Sequence, residues 1–373
     1  MEEGALVAGQ RSQKRNGAID FWKFVFCMII AVYHGRYMGG SVPYALFKDG
    51  GYLAVEFFFL VSGFLMAKSA KRAEETSRLQ LGTETAQFIW HKAKIILPYF
   101  IFAYIVGFAI RAYTAHSGAI DILNNGFQSI VQLLFLEMSG IEAFTAIGAS
   151  WYISAMLISM LALYPLLRKN RNVFTWVIAP LLAIFILGYL SHEHGWLNET
   201  TKAWQLVYPG LLRAVAELSL GCVCFGMCER LQRVQPKPAG RALLTAMEFL
   251  GYLVVIAAMC FLNVGQRGFV LLFILAGCMT LSFSGLSNSA AWFRGRIFPR
   301  LGKMSLIVYL LHFRVKDVVR LWFPSLGYWE IIGVYLALVL GASVICYFAV
   351  EGIGKLWRCK GQRLKGYFIE TDA

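Results

Sequence analysis

Charged residues are scarce in this sequence. Asp, Glu, Lys and Arg make up 15% of its 373 residues, whereas 58% are hydrophobic. A soluble domain carries roughly 25% charged residues, so the chain lacks the polar surface that a soluble fold of this size requires. The hydrophobic residues form runs of about 20, the length that crosses a bilayer as a helix. The composition therefore excludes a set of soluble domains and leaves no segment for a separate soluble catalytic domain.

Motifs of familiar catalytic and metal sites are missing as well. There is no nucleotide-binding loop, zinc motif or serine-hydrolase elbow. Cys222, Cys224 and Cys228 have a spacing similar to that of metal ligands, but they end an apolar run. We expect them to be small hydrophobic residues rather than zinc ligands, and we expect no metal.

Acidic residues are fewer than basic ones, 21 against 35, which gives a net charge of +14. The basic residues lie between the apolar runs, so orientation in a membrane explains them better than nucleic-acid binding does. About 25 of them fall in alternate segments, on one side of the membrane. This asymmetry predicts an even number of crossings with both termini cytoplasmic.

The apolar windows predict an all-α, polytopic integral membrane protein with about ten transmembrane helices. Residues 1–18 are predicted to be a cytoplasmic tail and 353–373 a basic cytoplasmic tail, on either side of a transmembrane domain at 19–352. No small-residue cleavage site follows the first run, so we expect that helix to stay as an anchor. The stretch 127–137 is too short to cross and is predicted to be interfacial or re-entrant. The predicted spans are 19–38, 50–68, 94–113, 148–167, 173–191, 207–228, 242–263, 268–285, 304–322 and 329–350.

The first span contains Asp20, Lys23 and His34. Ionisable groups inside a membrane are costly and indicate function. Lys23 and His34 share one helix face about 16 Å apart along the axis, and Asp20 lies on the same side. The alternative is that Asp20 and Lys23 extend to one interface and His34 to the other.

Polar residues also mark the second and third spans. Glu56 lies in an apolar run and requires a partner such as Lys, Arg, His or water. Ser62 and the glycine after it are small residues that favour close helix packing. His91, Lys92 and Lys94 precede the third apolar run, where a cytoplasmic anchor and a phosphate-binding cluster are both compatible with the pattern.

In the ninth span, Ser305, Tyr309 and His312 form one stripe of a helix. Such a stripe faces protein or a cavity, and helix–helix hydrogen bonding is the simpler explanation. The basic residues Arg314, Lys316 and Arg320 follow towards the outer side. They are expected to meet either an anionic substrate or counter-ions.

Together these segments resemble the membrane-bound acyltransferase 3 family, bacterial enzymes that O-acylate carbohydrates and related molecules. The segments that carry the resemblance are IDFWKFVFCMIIAVYH, GYLAVEFFFLVSGFLM, HKAKIILPYF, SWYISAMLISMLALYPLL with Trp151, LGKMSLIVYLLHF and Val350-Glu351. The chain departs from the family pattern in having His91 and Lys94 at paired positions usually held by Arg. It also has Glu56 in place of Asp, and lacks a Pro after Glu351.

The resemblance implies transfer of an acyl group, with acetyl-CoA as the expected donor, to a carbohydrate hydroxyl at the bacterial cytoplasmic (inner) membrane. It implies His34 as general base, with Glu56 or another carboxylate orienting its ring. Lys23, His91, Lys92 and Lys94 are the expected binding groups for the coenzyme A phosphates. Asp20, Ser62, Trp151, Ser305, Tyr309, His312 and Glu351 are expected as substrate-binding or structural polar residues. A transporter, flippase or exporter remains the alternative, a homo-oligomer stays open, and no nucleic-acid partner is expected.

Overall fold

The computed structural model describes residues 16–36, 38, 49–200 and 207–370, with side chains as far as residue 355. In these ranges the chain is helical and has no β-strand. Single-turn 3₁₀ helices occur at Gly50–Tyr52 and Glu137–Ser139, and a π-helical turn at Phe174–Ile178. The α-helices are α1 (Gly17–Gly35), α2 (Leu53–Thr76), α3 (Leu81–Thr114), α4 (Ala119–Gln128), α5 (Ile130–Leu133), α6 (Trp151–Lys169), α7 (Arg171–Val173), α8 (Ala179–His194), α9 (Pro209–Leu231), α10 (Pro238–Phe261), α11 (Arg267–Ser284), α12 (Ser289–Trp292), α13 (Ile297–Trp322) and α14 (Tyr328–Glu370).

Local sequence explains where several helices begin and end. The Asn16 side chain accepts a hydrogen bond from the backbone N–H of Ala18 and so caps α1. Helix α9 begins at Pro209, where the missing N–H has no cost. Gly285 ends α11 with a φ of 79°, a left-handed conformation that glycine adopts without strain.

Nine helical segments in the described ranges are long and apolar enough to cross a membrane. The predicted multi-pass, all-helical membrane fold is therefore confirmed. The stretch 127–137 falls in α4, α5 and the turns after them, which are too short to cross. Helix α14 continues past residue 352 as far as Glu370, so the predicted C-terminal tail begins as helix. Residues 1–15 of the predicted N-terminal tail lie outside the described residues.

The remaining predicted span corresponds to α13, which differs from the nine apolar helices in its content of charged residues. With 26 residues it is about 39 Å long, more than the hydrocarbon core requires. It also runs parallel to α1: the Cys27 thiol donates to the Ser305 carbonyl at 3.0 Å, and further on His34 contacts His312. Because α13 accompanies α1 through its depth, we count it as a tenth crossing.

Long-range contacts define the two ends of the bundle. Asp20 packs against Gly302, and Lys303 forms an ion pair with Glu351 at 2.7 Å, so the start of α1 and residue 351 of α14 lie at the same end. We call this end the basic face, because Lys23, Lys92 and Lys303 lie towards it. The other end, which His34 approaches, is the opposite face.

Close approach of α2 and α9 depends on two glycines. A side chain on Gly63 would collide with the Leu218 backbone, and one on Gly221 would collide with the backbone of Leu60. This is the small-residue packing expected beside Ser62. Arg213 donates to Glu56 and Cys222 donates to the Gly63 carbonyl, so the two helices run in the same direction. Their direct backbone contact fixes Glu56 of α2 beside α9.

Candidate active site

A cavity of about 850 Å³ lies between α1, α2, α3, α6, α13 and α14. This volume is within the range of small-molecule sites. Of the residues predicted from sequence, the cavity brings together Lys23, Ser62, Lys92, Ser305, Tyr309 and Glu351. Apolar side chains such as Val61, Met156 and Leu306 make up most of the rest of the wall.

The end of the cavity at the basic face is positively charged. Lys23, Lys92 and Lys303 contribute three ammonium groups, and Glu351 contributes one carboxylate. Glu351 accepts from Lys303 at 2.7 Å and from the Tyr99 hydroxyl at 3.2 Å. The net positive charge makes this mouth suitable for an anionic group.

The inner end of the cavity is closed by hydroxyl-bearing side chains. The Ser62 hydroxyl is 2.9 Å from the Tyr152 hydroxyl, and the Tyr152 and Tyr309 rings are 5.6 Å apart. Ser305 donates to the Gly302 carbonyl of its own helix at 2.9 Å. The cavity ends at Tyr309, one turn before His312 on α13.

The two histidines meet beyond Tyr309. His312 Nδ1 lies 2.6 Å from the Tyr309 carbonyl, and His312 Nε2 lies 3.2 Å from His34 Nδ1. His34 Nδ1 is also 3.0 Å from the Ile30 carbonyl. Neither histidine is among the residues that line the cavity.

These contacts assign the protons of a neutral pair. His312 Nδ1 carries a hydrogen that it donates to the Tyr309 carbonyl, so His312 Nε2 is an acceptor. His34 Nδ1 then carries a hydrogen shared between His312 Nε2 and the Ile30 carbonyl. The lone pair of His34 is left on Nε2. Since His34 is partly exposed whereas His312 is fully buried, His34 is the member of the pair that a substrate can reach.

Glu56 does not orient His34. Its carboxylate forms an ion pair with the Arg213 guanidinium at 2.5 Å, and both side chains are almost completely buried. Arg213 also lies 5.5 Å from the centre of the Trp151 ring, and Glu217 follows one turn later on α9. The expected carboxylate support for His34 is thus replaced by a second imidazole, and Glu56 belongs to a separate buried cluster.

Two residues predicted to bind coenzyme A lie elsewhere. His91 and Lys94 are exposed on α3 and do not line the cavity, unlike Lys92 between them. The helical rotation explains this, because Lys94 is turned about 200° and His91 about 100° from Lys92 around the axis. Of the four residues expected to bind coenzyme A, the cavity contains Lys23 and Lys92, and Lys303 lines it as well.

Asp20 is 2% exposed and packs on α13, so its carboxylate does not extend to the water interface.

Arg314 reaches the Ala146 carbonyl at 2.5 Å and pairs with Asp317 at 2.7 Å. Arg314 was expected to meet either an anionic substrate or counter-ions, and in the structure its partner is the counter-ion Asp317.

The cysteines have local hydrogen-bond partners: Cys222 donates to the Gly63 carbonyl at 3.4 Å and Cys228 to the Thr280 carbonyl at 3.3 Å. Among the described residues, no group of three potential metal ligands occurs.

Sequence reasoning missed Lys303, Tyr99 and Tyr152 as members of the site. Lys303 lies two residues before Ser305, at the start of the polar stripe of α13. Tyr99 lies seven residues after Lys92, on the same face of α3. That spacing could have identified it.

In a comparison with known protein families, the model of an acyltransferase domain matches residues 16–350. The chain belongs to the acyltransferase 3 family. It is therefore a multi-pass membrane acyltransferase that transfers groups other than aminoacyl groups. Searches of curated proteins and of solved structures give no match.

Proposed function

We propose that this acyltransferase moves an acyl group, with acetyl as the expected group, from coenzyme A to a hydroxyl of a cell-surface carbohydrate. The observation that carries the proposal is the cavity, which begins at three lysines and ends one turn from the histidine pair. Coenzyme A carries phosphates at one end and a thioester on a long arm. A positive mouth and an extended, largely apolar interior are complementary to that molecule.

The His34 lone pair supplies the base that a hydroxyl nucleophile requires. His34 Nε2 takes the proton from the acceptor hydroxyl as its oxygen attacks the thioester carbon. The carbon–sulfur bond then breaks, and the thiolate takes the proton from the imidazolium. The products are an ester and a thiol, with no net change in protons. His312 Nε2 holds the His34 ring in the required tautomer throughout.

Lys23, Lys92 and Lys303 act as point charges for phosphate rather than as planar two-pronged donors. The distance of about 16 Å between Lys23 and His34 along α1 is comparable with an extended pantetheine arm. The donor then enters from the basic face, which the charge asymmetry makes cytoplasmic, and the acceptor reaches His34 from the opposite face. A bacterial inner membrane separates two such compartments.

Transport without acyl transfer is the alternative, because carriers also use buried ionisable groups. Radiolabelled acetyl-CoA and the purified protein distinguish the two. We expect covalent label in a carbohydrate acceptor and release of the thiol. Movement of label across a sealed vesicle without ester formation would instead identify a carrier. Mass spectrometry of surface glycans from cells with and without the protein then identifies the acceptor by the added acyl mass.

A further inference from the structure

A second cavity, of about 230 Å³, lies at the basic face away from the candidate active site. It is formed by α7, the π-helical turn and the end of α9. Its lining is polar, unlike that of the larger cavity. The lining residues are Arg171, Asn172, Thr175, Trp176, Gly226, Glu229, Arg230 and Arg233.

The charges around this cavity do not cancel. Glu229 pairs with Lys71 at 2.7 Å and with Arg171 at 2.5 Å, and Arg171 also pairs with Glu74 at 3.0 Å. These four side chains neutralise one another. In the parts of the chain that the structure describes, Arg230 forms no ion pair, and Arg233 forms none either. The cavity therefore keeps two uncompensated positive charges.

Arg230 is held in a defined position. Its guanidinium carbon lies 3.6 Å from the centre of the Trp176 ring. Stacking on a ring leaves the N–H groups at the edge of the guanidinium available for an anion. Gly226 allows this arrangement, because a Cβ there would lie 2.9 Å from the Trp176 ring and 2.6 Å from Thr175.

The backbone that presents Trp176 is itself unusual. Residues Phe174–Ile178 form a π-helical turn, a rare conformation that occurs frequently at functional sites. The turn lies at the start of a predicted crossing, so the cavity is located at the level of the membrane surface.

Apolar side chains next to the cavity indicate the source of the anion. Val173, Val177 and Met227 are 42%, 51% and 44% exposed, and they lie on the same helical segments as the cationic lining. In a membrane-spanning bundle such residues contact lipid. A ligand with a phosphate and acyl tails can use the arginines and these residues together.

We propose that this cavity binds the phosphate of an anionic lipid headgroup, at a site separate from acyl transfer. Arg230 and Arg233 provide charge-assisted hydrogen bonds to the phosphate, while Thr175 and Asn172 offer neutral donors. The lipid tails lie along Val173, Val177 and Met227. The proposal does not depend on the identity of the acyl donor or acceptor.

The test measures binding of short-chain phosphatidylglycerol to the purified full-length protein in an uncharged detergent, by native mass spectrometry. The variant combines Arg230→Ala with Arg233→Ala. The matched control combines Arg294→Ala with Arg296→Ala, two exposed arginines on the same face but outside the cavity. We expect the first pair to weaken binding at least about tenfold, and the control pair to change it by less than about twofold.

Phosphatidylcholine and inorganic phosphate distinguish the possible sources of the signal. Selective binding of phosphatidylglycerol over both supports a lipid phosphate site. Equal binding of phosphatidylcholine would overturn a charge-selective site, and equally tight binding of inorganic phosphate would overturn the lipid as the ligand. An equal loss in the two double variants would also overturn the proposal, because it would indicate general surface charge.

Discussion

Two pairs of polar side chains connect helices in the core of this bundle, and they differ in whether a proton-accepting atom remains free and accessible. Between α1 and α13, His34 and His312 leave the His34 Nε2 lone pair unused by the pair's own contacts, on a partly exposed ring beside a cavity. Between α2 and α9, Glu56 and Arg213 compensate each other's charge, and both are almost fully buried. The first arrangement suits chemistry, and the second suits structure.

The contrast also explains why charge alone is a poor guide to function in this chain. Glu56 has the more costly group to bury, yet its ion pair with Arg213 connects it to the packing of α2 on α9. His34 is uncharged as a neutral imidazole and has a proton-accepting atom left over. The candidate for chemistry is therefore the group whose free lone pair lies on a partly exposed ring.

The largest expected effect comes from replacing the base. His34→Ala should lower acyl transfer by at least about 100-fold, the lower end of what a positioned general base contributes. The apparent melting temperature should change little, since His34 is partly exposed. Parallel measurements of acetyl transfer and thermal unfolding in detergent check both statements. Retained activity in a well-folded variant would exclude His34 as the base.

Breaking the ion pair should act on folding instead. Arg213→Met leaves a buried carboxylate without its cation, a change that costs about 3–5 kcal/mol. We expect little folded protein by size-exclusion chromatography. The triple variant Glu56→Leu, Arg213→Met, Glu217→Leu removes all the charges and should recover folding. A triple variant that folds but is inactive would contradict a purely structural role for this cluster.

The tautomer assignment predicts a graded response at position 312. His312→Leu removes the acceptor for His34 Nδ1, and we expect turnover to fall by about tenfold, the value of one hydrogen bond near 1.4 kcal/mol. His312→Gln keeps a carbonyl oxygen that can accept and should retain more activity. The pH–rate profile should shift in the Leu variant only. Equal losses in both variants, with unchanged profiles, would point to packing rather than ring orientation.

The basic mouth can be tested with neighbouring lysines. Lys92→Gln should raise the KM for acetyl-CoA by about tenfold with kcat nearly unchanged, as expected for loss of a charge-assisted contact to phosphate. Lys94→Gln is the matched control, because Lys94 lies outside the cavity. A larger effect at Lys94 than at Lys92 would contradict the placement of the donor.

The smallest expected effect is at Glu137, outside the membrane-spanning helices. Burial raises the pKa of its carboxyl above the usual value, and the hydrogen bonds from Ser150 and Gln132 offset only part of this. Folding therefore favours the protonated form, and stability decreases as pH rises from the ordinary pKa of Glu through the raised one. Glu137→Gln should raise the apparent melting temperature by a few degrees at pH 8 and hardly at all near pH 4. A larger gain at the acidic pH would contradict the sign of the shift.

The crossings could be predicted from sequence because each is a continuous apolar run, and the charged α13 was recognisable from its length and polar stripe. The pairing of side chains could not be predicted. His34 and His312 are 278 residues apart in the sequence, and Glu56 pairs with Arg213, 157 residues away on α9. Sequence spacing does not single out these partners from the other polar residues of the chain. The choice of Lys92 over Lys94 depended on helix rotation, which the spacing of Lys92, Ile96 and Tyr99 indicates once the cavity is known.

The central claim is that the donor and the acceptor approach the histidine pair from opposite faces. Sealed proteoliposomes of defined orientation test it directly, with radiolabelled acetyl-CoA supplied on one side and the carbohydrate acceptor on the other. We predict ester formation only when acetyl-CoA is on the basic face, where Lys23, Lys92 and Lys303 lie, and at least about 100-fold less of it with His34→Ala. Equal product formation with acetyl-CoA on the opposite face would contradict the account.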